Sequence, residues 1–196
     1  MDKRYQQIRS FYKTYLNNIV QILVKEGINP NLFSYTVLFL CFIFAFFMLA
    51  EGVRQAGAVA LIIAVCDIMG SLVADDMGEK NKISGLLDSI LDKYSEIIFY
   101  TAIIVTGLQI ENTILALFAF LALIGASMTT FIINKAKQFD INIDWGFIRR
   151  PERILLLAFG MFFGFTGLTI ASVIVALVAN ATALYFVWHI CFSKKK

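Results

Sequence analysis

Four acidic residues stand in stretches otherwise too apolar to tolerate them. Asp67 interrupts the run from Gln55 to Ala74, and Asp88, Asp92 and Glu96 fall, with Lys93, in the first half of the run from Ser84 to Ile110. An acidic residue at the centre of a membrane helix costs roughly 2.5–3.5 kcal/mol on insertion scales, so three aspartates sunk deep in lipid would cost on the order of 8–10 kcal/mol. Asp88, Asp92 and Glu96 recur at every fourth position and share one helix face. The short polar segment before Ser84 returns the chain, so that Asp67 can face Asp88 and Asp92 across a hairpin. Clustered carboxylates repel unless protons bind or a cation sits among them. An all-oxygen donor set suits hard ions such as Mg²⁺, Mn²⁺ or Ca²⁺. Asp67, Asp88 and Asp92 are therefore candidate metal ligands. Pairing with Lys80, Lys82 or Lys93, or simple hydration near helix ends, would explain the same pattern. Ionisable residues inside membrane spans default to function.

The elements that must position these acids follow from composition. Of 196 residues, 59% are hydrophobic and 16% charged, with a mean hydropathy of +0.76. Soluble domains hold roughly 45–50% apolar and about 25% charged residues, so a disordered chain and an ordinary soluble globule are both excluded. The expected fold class is all-α and polytopic, with six transmembrane helices behind an amphipathic interfacial helix. Leu32–Ala50, Gln55–Ala74, Ser84–Ile110 and Asn112–Asn134 are each long enough to cross about 30 Å of hydrocarbon. Ile154 to Ser193 is an uncharged run of 40 residues, about 60 Å as one helix and too long for one crossing. Gly160, Gly164 and Gly167 suggest a break near Phe165–Leu168 and a short fifth span.

Six crossings put both termini on one side. All Lys and Arg except Arg54 and Lys93 then lie on that side, before span one, after spans two and four, and at the C-terminus. The positive-inside rule makes it cytoplasmic, in an inner cell membrane, with the acids at the same end. No nucleic-acid partner is expected. Residues 1–31 form a separate element: Ile8, Phe11, Tyr12, Tyr15, Ile19, Ile22 and Leu23 recur every three to four residues opposite Lys13, Asn17, Asn18, Gln21 and Lys25. That pattern predicts a helix lying on the bilayer surface, or one packed on another protein; residues 32–196 form the membrane domain. Cys41, Cys66, Cys191 and the single His189 show no ligand-like spacing.

The stretch from Asp67 to Asp92 resembles the signature D-x2-D-G-x2-A-R-x8-G-x3-D-x3-D of the CDP-alcohol phosphatidyltransferases, without a gap. Asp67, Ala74, Asp88 and Asp92 match it, while Gly70, Ser71, Asp75 and Ser84 replace its second Asp, first Gly, Arg and second Gly. Lys93-Tyr-Ser-Glu96, Gly27-Ile-Asn-Pro-Asn31, Lys135-Ala-Lys137 and Arg149-Arg-Pro-Glu-Arg153 resemble the inositol-phosphate branch of that family. After Thr182-Ala-Leu184, Tyr185 and Phe186 stand where the family often has a polar residue and Arg.

The resemblance implies a homodimeric six-span enzyme that moves a phosphatidyl group from CDP-diacylglycerol to a small, phosphorylated polyol, inositol-phosphate-like or glycerophosphate-like, releasing CMP. In the family four aspartates hold two divalent ions and the last also acts as base. Carried over, Asp67, Asp88 and Asp92 would hold Mg²⁺ or Mn²⁺, and Asp92 would be catalytic. Asp67, Ser71, Ala74 and Ser84 would border the nucleotide, and Lys135, Lys137, Arg150 and Arg153 would hold the acceptor phosphate. An Arg-to-Asp exchange at position 75 removes a bidentate donor and adds repulsion toward a diphosphate. Two other readings stay open at this point: a non-catalytic relative that binds lipid or nucleotide as a scaffold, and a cation or proton transporter using the three aspartates as a relay. The basic residues flanking spans four and five also serve as topology determinants.

Overall fold

In the computed structural model, residues 19–27, 29–77, 82–138 and 149–193 are described, and among them every regular element is an α-helix. Residues 19–25 are helical (α1), followed by α2 (Asn31–Leu49), α3 (Val53–Asp76), α4 (Lys82–Gln109), α5 (Thr113–Gln138), α6 (Arg150–Phe162) and α7 (Gly164–Ser193). Packing runs from α2 to α3, α3 to α6, α6 to α7, α7 to α5, α5 to α4 and α4 back to α2, a closed ring of six helices. Inside the ring, Phe44 of α2 stacks on Phe99 of α4 with centroids 4.1 Å apart. Between α5 and α7 the core is made of small side chains, Ala122 and Ala126 with Ala176 and Ala179. Lipid offers no hydrophobic drive between helices, so close backbone approach through small residues must supply the packing. Asn180 adds polar contact, its Nδ2 donating to the Leu121 carbonyl at 2.9 Å.

Among the described residues, four helices are long and apolar enough to cross a membrane: α2, α3, α5 and α7. The chain is an integral membrane protein. The expected six spans are not all matched by length and composition, because α4 carries four charges in its first half and α6 has only 13 residues. The long apolar run breaks at Phe163, where Gly164 takes φ +78°, earlier than the expected Phe165–Leu168. The glycines divide the labour. Gly164 makes the left-handed turn, while Gly160 and Gly167 let α6 and α7 touch: a Cβ on Gly167 would lie 2.4 Å from the Gly160 carbonyl oxygen.

Two further boundaries bear on the site. α6 starts at Arg150 and not at Ile154, because Pro151 occupies its first turn and Glu152 accepts from the Arg149 amide at 3.0 Å. This start puts both Arg150 and Arg153 on the helix. In α1, Val20 is the buried residue, packed with Leu23 and Val24 against Ile68, Met69, Leu72 and Val73 of α3. Ile19 and Ile22, expected on the apolar face, point away from the protein. The rest of the expected interfacial helix, from Ile8 to Tyr15, lies outside the described residues.

Candidate functional site

The chain direction brings the N-terminal ends of α2, α4 and α6 to the same end of the ring as the C-terminal end of α3. Three helix N-termini carry partial positive charge toward that end, which favours anions there. Between them lies a cavity of about 200 Å³. Its lining brings together Asp67, Asp88 and Asp92 with Ser71 and Ala74 of the expected nucleotide border and Arg150 of the expected phosphate site. Pro30, Phe33, Ser34, Gly70, Arg149 and Pro151 complete most of the wall. Ligand pockets typically measure 300–1,000 Å³, so this one suits a diphosphate-sized group with the rest of a larger ligand outside.

Each acid has a different setting. Asp88 accepts a hydrogen bond from the Ser34 hydroxyl of α2. Asp92 accepts one from Arg150 Nη1 and retains 43% of its side-chain exposure, the most open group of this ion-paired set. Asp67, at 11%, lies deeper; its Oδ2 is 3.4 Å from Arg150 Nε. Both of these atoms are buried and neither makes a hydrogen bond. Arg150 is thus an ion-pair bridge from α6 to α3 and α4. Among the described residues no three acids, histidines or cysteines are gathered closely enough to hold a metal.

One turn deeper, Glu96 is buried and accepts from Arg153 Nη2 at 3.0 Å and from Lys93 Nζ at 2.6 Å. Arg153, expected at an acceptor phosphate, is 4% exposed in its side chain and does not line the cavity. It borders a second void of only about 10 Å³ with Glu96, Ser95 and Tyr100. Lys135 is exposed near the end of α5 and is not in the cavity wall. The side chains of Ser84 and Lys137 lie outside the described set, as does that of Asp75.

Sequence reasoning did not single out Ser34 or Phe33. Both are on α2, more than thirty positions from the residues they meet, Asp88 for Ser34 and Gly70 for Phe33, in a stretch where nothing but position relative to Pro30 marks them. Phe33 matters because of Gly70. A Cβ on Gly70 would sit 2.9 Å from Phe33 Cβ and 3.4 Å from its Cγ. Phe33 Cβ, fixed next to the backbone, leaves no room for a side chain at position 70, and so for a fourth carboxylate, unless α2 shifts.

A family model described as CDP-alcohol phosphatidyltransferase matches residues 28–190, and the chain belongs to that family. An archaetidylinositol phosphate synthase from Pyrococcus horikoshii is 24% identical over 97% of this chain and 96% of its own. An uncharacterized protein from Aquifex aeolicus is 26% identical over 78% of each chain. Among solved structures, a Mycobacterium tuberculosis phosphatidylinositol phosphate synthase with CDP-DAG bound shares the fold with a TM-score of 0.74 at 17% identity, over 89% of this chain and 92% of that one. The same synthase in complex with manganese and citrate gives 0.70 at 18% identity, over 87% of this chain and 88% of that one. At these identities the two solved structures show a shared fold.

Proposed function

We propose that this protein transfers a phosphatidyl group from a CDP-diacylglycerol-type donor to a hydroxyl of a small phosphorylated polyol, inositol-phosphate-like or glycerophosphate-like. The acceptor oxygen bonds to the phosphatidyl phosphorus, the bond from that phosphorus to the CMP oxygen breaks, and CMP leaves. The observation that carries the reading is the single cavity in which Asp67, Asp88, Asp92 and Arg150 meet at the ends of four helices. Membership of the family and the CDP-DAG bound to the mycobacterial synthase support the donor.

Asp92 is the base, because it is the most open carboxylate of the ion-paired set and faces the cavity. Ser71 and Ala74 leave room for the nucleotide end of the donor, with Ser84 assigned there by its place in the signature. Arg150 holds the acceptor phosphate with a planar fork suited to it, and Lys135 and Lys137 raise the positive potential at the same end. Arg153 is given a different task, holding Glu96 beneath the cavity. Asp67, Asp88 and Asp92 fit a hard divalent cation, Mg²⁺ or Mn²⁺: all their donors are oxygen, and the buried Oδ2 of Asp67 lacks a hydrogen bond. When bound, such an ion neutralises charge on the diphosphate and the departing CMP.

In the membrane, α4 and α6 complete a six-span bundle. α4, at about 42 Å, is long enough to cross, and its charges gather at the site end. α6, about 20 Å long, is the short fifth span, and its first turn sets Arg150 at the cavity. The site end is cytoplasmic by the sorting of Lys and Arg. A second reading, a family member that binds donor without turning it over, is favoured by one observation, the Phe33 side chain in the space a fourth carboxylate would need.

The test is CMP release by the full chain in lipid vesicles, with CDP-diacylglycerol, Mn²⁺ or Mg²⁺, and inositol phosphate or glycerol phosphate. Metal-dependent release is expected, reduced about 10²–10⁴-fold by Asp92→Asn. No release with either acceptor would leave the second reading in its place.

A further inference from the structure

We infer that the cavity accepts one divalent cation and not two, in the place that Arg150 holds between Asp67 and Asp92, so that guanidinium and cation exclude one another. The inference rests on the transferase reading and deepens it at the metal site.

The first support is the contact itself. Arg150 reaches Asp92 through Nη1 but meets Asp67 only at 3.4 Å, with Nε and Oδ2 both buried and lacking hydrogen bonds. Arg forks bind carboxylates best through two parallel hydrogen bonds, and buried polar atoms are nearly always satisfied. The gap between the two carboxylates is thus poorly matched to a guanidinium. It suits a small ion that takes one oxygen from each side.

The second support is the donor count. Asp88 lines the same cavity and is oriented by Ser34, giving a third carboxylate. Glu96 is committed below to Arg153 and Lys93. A second ion would need another donor near Asp67, and α3 faces the cavity one turn later at Gly70. There Phe33 Cβ stands 2.9 Å from any added Cβ, and this atom lies next to the backbone, so it cannot swing aside as a side-chain tip would. The wedged guanidinium also explains why no ready trio of ligands exists among the described residues. Displaced by the ion, Arg150 stays at the cavity beside Arg149 and becomes available to an anionic phosphate.

The experiment measures Mn²⁺ bound to the detergent-solubilised full chain, by the spin-resonance signal of free Mn²⁺ and by metal analysis after gel filtration. One Mn²⁺ per chain is expected. Arg150→Gln, which removes the competitor, should bind it about tenfold more tightly or better. The double variant Phe33→Gly/Gly70→Asp removes the blocking Cβ and supplies a fourth carboxylate, so it should bind two. Two ions on the native chain, unchanged or weaker binding by a folded Arg150→Gln, or one ion on the folded double variant would each overturn the inference. Two ions together with metal-dependent CMP release would overturn it while leaving the transferase reading intact. No Mn²⁺ on either the native chain or Arg150→Gln would overturn it and, with no CMP release, the transferase reading as well.

Discussion

Asp88 and Asp92 lie one turn apart on α4, yet they are held by opposite neighbours, Ser34 of α2 and Arg150 of α6. The Ser34 hydroxyl donates to a carboxylate, and partners that orient a ligating carboxylate typically change metal affinity 10–100-fold when removed. Ser34→Ala should therefore weaken Mn²⁺ binding by about that factor, measured by titration, while thermal stability changes little. Unchanged Mn²⁺ affinity would show that Asp88 needs no orientation. The three aspartates were legible because charge inside an apolar run is conspicuous and the spacing of four fixes a face. Ser34 and Phe33 were not, since linear spacing within α3 and α4 cannot reveal what α2 presents to them. The family resemblance of the stretch Arg149–Arg153 assigns Arg153 to the acceptor phosphate. With α6 beginning at Arg150, its side chain is instead directed inward to Glu96.

The two ion pairs between α4 and α6 form a ladder. Asp92 and Glu96, four apart on α4, meet Arg150 and Arg153, three apart on α6. The upper rung borders the cavity and can open; the lower rung is buried on both sides and anchors the helices. Removing one partner of a buried pair strands the other charge and typically costs 3–5 kcal/mol, whereas replacing both with apolar groups is often neutral. Arg153→Leu should lower thermal stability in detergent by about that much, and Glu96→Leu/Arg153→Leu should regain most of it. A stable single variant would argue that water reaches Glu96. At this scale the sequence located the helices well. α2 to α5 differ from expectation by a few residues at their ends, because uncharged length is set by bilayer thickness. The α6–α7 break was placed too late, since three glycines in one run cannot reveal which one turns and which ones pack.

As a whole, the ring of six helices presents large apolar side chains outward: Phe39, Phe42 and Phe46 on α2, Leu117 and Phe120 on α5, Leu177 and Leu184 on α7. A soluble monomer rarely exposes so much contiguous apolar surface, and helices satisfy their backbone polar groups without water, as a bilayer requires. Polar and charged groups concentrate at one end of the ring, where the cavity opens. The composition made the membrane class plain from the start. It did not reveal which partners the charges on α4 and α6 take, because those partners come from each other and become visible only when the ring closes.

The central claim is that these carboxylates gather a cation which in turn engages a CDP-linked lipid. The most direct measurement is thermal unfolding of the full chain in detergent with Mn²⁺, with CDP-diacylglycerol, and with both. A ligand that binds only the folded state raises the melting temperature, and by more the further its concentration exceeds its dissociation constant. The large stabilisation is expected only when metal and lipid are present together, and it should vanish in Asp67→Asn and in Asp88→Asn. Stabilisation by CDP-diacylglycerol that is equal without metal, or that survives both substitutions, would contradict the account.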